Sequence, residues 1–120
     1  MLLTLALLSV LHSDSLPGTW KITGDIMGKP LNERCIIKQT GAAVSGSCTN
    51  ESGGPWEVTG EVKDGKVTFK HGGDYNGEPL TIIYSAPLGG TLKGTVEVQP
   101  FGATGTFTAA LAPADEPKKP

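Results

Sequence analysis

The side chains able to do chemistry are few: two cysteines, two histidines and 12 carboxylates in 120 residues. Cys35 and Cys48 flank the segment Thr40-Gly41-Ala42-Ala43. A hairpin centred on Gly41 and Ala42 sets Cys35 opposite Cys48, Ile37 opposite Gly46 and Gln39 opposite Val44, all on one face. Thiols so placed are expected to join as a disulfide in an oxidising compartment. Closing that loop contributes about 2 to 3 kcal/mol through the unfolded state. The spacing is not that of a Cys-x-x-Cys redox pair, and a metal would lack further Cys or His ligands. His71, with Asp74 three residues on, has the types of an acid/base pair, but no Ser or free Cys is marked as its nucleophile. The expectation is therefore no enzyme, no cofactor and no metal, with His71 a rim histidine satisfied by solvent or a carboxylate.

Such residues need a scaffold, and composition says which. Gly 17, Pro 9, 38% hydrophobic and 18% charged residues describe a chain of many tight turns and few helices. The expected class is all-β: about eight short antiparallel strands in an up-and-down meander, forming a small closed or nearly closed barrel with one hairpin disulfide. A net charge of -2 and the lack of any Lys or Arg run remove the electrostatic footprint of nucleic-acid and anionic-membrane binders. Residues 1–15 read as a signal peptide, because Leu2 to Leu11 form an apolar run of leader length. Residues 16–111 are the barrel, and 112–120, rich in Pro and charge, read as a disordered tail. A secreted or periplasmic location follows from the leader.

Along the domain, alternation assigns inward faces. Strand one carries Trp20, Ile22, Gly24 and Ile26 inward, and Met27 to Glu33 make a connection long for a hairpin. After the cysteine hairpin comes the loop Asn50 to Pro55, whose Asn50-Glu51-Ser52 is a glycosylation acceptor only in a eukaryotic host. Asp64-Gly65 turns the fourth strand into the fifth, placing Val62 beside Val67, Gly60 beside Phe69 and Val58 beside His71. Gly72 to Pro79 reads as the longest connection. The sixth strand is expected to face inward with Leu80, Ile82 and Tyr84, the seventh with Leu92, Gly94, Val96 and Val98, and the eighth with Ala103, Gly105, Phe107 and Ala109. Glycines at the middle of the inward face allow coiling and make room for large partners, Phe69 at Gly60 and Phe107 at Gly94.

The long connections then fall after strands one, three, five and seven, which predicts a tight base and a looser mouth. Trp56, His71, Tyr75, Phe101 and Arg34 lie at or near that mouth and are the candidate ligand-binding residues. Trp20 starts strand one at the opposite end and is expected to plug the base.

Gly18-Thr19-Trp20 ahead of such a meander resembles the calycin-type barrels: lipocalins, the avidin group and small bacterial metalloprotease inhibitors. The resemblance implies a secreted barrel that binds a small molecule or peptide at its open rim. Leu16-Pro17-Gly18 ahead of the tryptophan is similar to the inhibitor group, which implies a protease partner met through the N-terminal stem, Leu16 to Thr19; the mouth loops are the alternative contact. A third expectation is an interaction domain with no small ligand. Oligomeric state is left open.

Overall fold

The computed structural model describes residues 16–51 and 53–112; the leader expected at 1–15 and, beyond Ala112, the tail expected at 112–120 lie outside them. Eight antiparallel strands follow one another around a closed barrel: β1 Gly18–Ile26, β2 Lys29–Thr40, β3 Ala43–Asn50, β4 Gly53–Lys63, β5 Lys66–Tyr75, β6 Glu78–Pro87, β7 Thr91–Gln99 and β8 Ala103–Leu111. β8 closes on β1 from Trp20–Leu111 to Ile26–Gly105. The period-two alternation survives as burial: Trp20, Ile22, Cys35, Ile37, Phe69, Tyr84, Leu92, Val96 and Phe107 are all buried while their neighbours face out. The expected inward sets of β1, β6, β7 and β8 hold. So does the disulfide between Cys35 and Cys48, which are directly paired across β2 and β3.

The connections differ from expectation. Each is two or three residues long at both ends of the barrel, so the contrast between a tight base and a loose mouth disappears as a matter of loop length. Met27-Gly28, Asp64-Gly65 and Asn76-Gly77 each place two residues at positive φ, the signature of the type I′ turn whose twist matches paired strands. Stretches rich in Gly, Pro and Asn at 27–33, 50–55 and 72–79 continue their strands to the rim and turn only at the tip. Glycine and proline in a strand mark close approach or an edge as often as a loop.

The base is filled. Leu16 folds under the barrel, and its carbonyl accepts the indole N–H of Trp20 at 2.8 Å. Both side chains are buried against Ile22, Ile37, Val44, Val67, Phe69, Leu92 and Ala109, around a void of only about 10 Å³. Trp20 plugs this end as expected. Ala112 also belongs to the barrel, its amide donating to Thr19.

Gly60 pairs with Phe69 and Gly94 with Phe107. A Cβ on Gly60 would stand 2.2 Å from the Thr68 carbonyl oxygen and 2.6 Å from the Phe69 Cα, and a Cβ on Gly94 would meet β6, 2.0 Å from the Ser85 carbonyl oxygen. Both glycines thus admit a neighbouring backbone rather than a ring. Gly94→Ala is expected to lower stability by about 1 to 3 kcal/mol, because backbone cannot retreat as a flexible side chain does. Gly90→Ala, with open space around it, should leave the denaturation midpoint nearly unchanged.

Candidate functional site

Two layers occupy the half of the barrel away from Trp20: a buried polar cluster and, above it, an open apolar groove. The cluster begins with Glu33. Its alternation partners Cys35 and Ile37 point inward, so its carboxylate does too, and it is 3% exposed. An isolated carboxylate in such a place is prohibitively costly, and β5 and β6 supply its partners. Tyr84 donates its hydroxyl to Oε2, and His71 Nε2 lies 3.1 Å from the same oxygen and 3.0 Å from Oε1. The imidazole is aligned with Oε2, which leaves Oε1 within ion-pair distance but without a hydrogen bond.

The other ring nitrogen, Nδ1, faces the Gly72 carbonyl at 2.5 Å. A carbonyl only accepts, so Nδ1 carries hydrogen, and a further proton must lie between Nε2 and Glu33. The pair is net neutral, which lowers the cost of its burial. Trp56 covers the imidazole with ring centroids 5.9 Å apart, and Phe69 and Phe107 flank Tyr84 at 4.9 and 4.8 Å. Burial first, and then the charge and hydrogen bond of Glu33, hold the Tyr84 hydroxyl far above the usual tyrosine range. It therefore stays a donor. Neither Glu33 nor His71 exposes any side-chain surface, so the cluster meets no solute.

The groove above is lined by Ile26, Met27, Lys29, Tyr75, Leu80, Val98, Phe101 and Ala103 and encloses about 310 Å³. Tyr75 and Phe101 meet edge to face at 6.2 Å, and Lys29 Nζ stands 5.4 Å from the Tyr75 ring centroid. Met27, Tyr75 and Phe101 remain 75%, 48% and 57% exposed. Strand pairing frees one wall. The β4–β5 ladder reaches only Thr59–Lys70 and the β6–β7 ladder only Thr81–Gln99, whereas β5 and β6 stay paired to Tyr75–Glu78. Among the described residues the tip of the β5–β6 hairpin is a two-stranded ribbon without a ladder partner on either side, touched only through side chains such as Phe101 and Lys29.

Of the five expected ligand residues, Tyr75 and Phe101 share this groove. Trp56 is half-buried over His71, and His71 is a core residue rather than a solvated rim group. Arg34 points outward from β2, since its neighbours Glu33 and Cys35 take the inward positions. Val58 and His71 are not paired, because the ladder ends before them. Asp74 does not meet His71 but accepts the Gly77 amide of its own turn. Among the described residues the one grouping of metal-ligand types is Glu33 with Cys35 and Cys48, whose sulfurs are joined to each other. Glu33 and Lys29 escaped notice because 27–33 reads as a connection, although the alternation of Cys35 and Ile37 runs back unbroken through Glu33 to Leu31.

Tyr84→Phe is expected to cost about 1 to 3 kcal/mol at neutral pH, as Glu33 loses a donor. The folded state keeps the Tyr84 proton where the unfolded chain releases it above pH of about 10. The wild-type protein should therefore lose stability as pH rises past that point, and the variant should lose it less steeply. Urea denaturation between neutral pH and pH of about 11 measures both slopes.

No protein-family model matches the chain, and neither a curated protein nor a solved structure matches it.

Proposed function

We propose that this chain is a non-catalytic binding module of calycin-like type, exported to an oxidising compartment, which holds a small apolar ligand in the groove at its mouth. The disulfide supports the compartment. The observation that carries the binding reading is Met27. Two of the three positive-φ turns use Asp-Gly and Asn-Gly, the residues that tolerate this conformation, but the β1–β2 turn bordering the groove uses Met-Gly with Met27 at φ 52°. An unbranched apolar side chain gains nothing from a left-handed backbone, and here it is also the most exposed large hydrophobic residue described. Strain and exposed apolar surface together at one rim support the reading of a contact surface there.

The protease-inhibitor reading is weaker. Leu16, the start of the stem used in one form of it, is buried in the base and bonded to Trp20, which leaves the mouth loops of its other form as the surface for a protein partner.

Nile red serves as a neutral apolar probe. Its emission should rise on addition of the protein, and Phe101→Ala or Tyr75→Ala should weaken its binding about tenfold while circular dichroism stays native. A response that survives both substitutions would place the ligand elsewhere. Met27→Asn separates strain from contact: relief of the turn should raise stability by about 0.5 to 1 kcal/mol, and Nile red affinity should fall.

A further inference from the structure

The groove is apolar except at Lys29. In the β1–β2 ladder Lys29 stands directly across from Ile26, so both side chains belong to the mouth face. Its ammonium lies over the Tyr75 ring. The one ion pair among the described residues is His71–Glu33, so no carboxylate of those residues stands at that range from Lys29. The acids nearest in sequence to the rim are engaged by their own turns: Asp25 accepts the Gly28 amide at 3.0 Å and Asp74 the Gly77 amide at 3.2 Å, while Glu97 accepts from the Gln99 amide group. Glu78 shares a face with Tyr75, its direct partner in the ladder, but does not line the groove.

An ammonium held at the edge of an apolar groove, with an aromatic face beneath it, is a counter-charge without its partner. The groove is small, about 310 Å³, and suits a compact planar ring system. Tyr75 and Phe101, at an interplanar angle of 82°, offer a face and an edge between which a third ring can stack on one and abut the other. We infer that the groove selects small aromatic acids, with the ring seated at Tyr75 and Phe101 and the carboxylate paired to the Lys29 ammonium. This rests on the mouth being the binding surface. Because Lys29 is solvent-exposed, the charge preference is modest and screened by salt. The cation–π contact keeps the ammonium at the ring before a ligand arrives.

The test compares three probes of one shape, naphthalene carboxylate, naphthalene methanol and naphthalene methylamine, titrated calorimetrically into the purified protein at low salt. The acid is expected to bind about three- to fivefold more tightly than the alcohol, with the amine weakest, and the gap should shrink as salt is added. Lys29→Met should erase the difference between acid and alcohol while leaving the alcohol within about twofold. Phe101→Ala should weaken all three. Equal affinity for acid and alcohol, or an acid preference that survives Lys29→Met, overturns the head-group assignment and leaves the mouth reading intact, as does Nile red binding without binding of any naphthalene probe. Preference for the amine also overturns it, in favour of Glu78. Failure of the naphthalene probes and Nile red alike overturns both readings.

Discussion

A carboxylate in the middle of a barrel must be neutralised where it stands, and the upper half of this molecule is arranged around that requirement. Glu33 comes from β2, His71 from β5 and Tyr84 from β6, so its hydrogen bonds cross the interior and join walls that are not neighbours. Aliphatic packing would hold these strands at a similar distance but would tolerate small slips. A hydrogen-bonded, net-neutral pair tolerates none, since any displacement leaves a buried charge without a partner. The aromatic rings of Trp56, Phe69 and Phe107 then exclude water from the bonds that matter.

This cluster separates two environments. Toward Trp20 the barrel is packed to the density of an ordinary core, with no space for a guest. Toward Tyr75 and Phe101 the strands continue past the last shared ladder bonds, and apolar side chains stay in contact with solvent. The molecule is therefore less a cup than a solid plug with a shallow dish at one end. A packed floor under the dish means that the groove's shape is set by the core, while one wall, the β5–β6 tip, is held by side-chain contacts rather than by ladder bonds to its neighbours.

How much of this was legible in the chain depends on which physical signal was strong. Alternation exposed the inward faces of β1, β6, β7 and β8, and symmetric counting outward from Gly41-Ala42 and Asp64-Gly65 set two registers, including the pairing of Cys35 with Cys48. Both are local rules. The rim was misread because Gly, Pro and Asn at 27–33 and 72–79 signal turns by composition, whereas the backbone uses them within extended ribbon. That error hid Glu33 and made His71 look solvated. The contact between them joins residues 38 apart, and no spacing rule reaches across a barrel. Arg34 illustrates the same limit from the other side: closeness to the rim in sequence says nothing about which face of the wall a residue occupies, and parity with Cys35 turns it outward.

Trp20 carries a final consequence, for the order of folding. Its strand is held by β2 on one side and by β8 on the other, with Trp20 itself opposite Leu111. The hairpins from β2 to β7 can form as the chain emerges, each from local contacts, but the first strand cannot be sealed until the last is available. Closure waits on the longest loop the chain can make, the kind of contact that slows folding most. A barrel built this way is sealed only when its last strand is available to its first, so the hairpins between them wait for closure to complete their core.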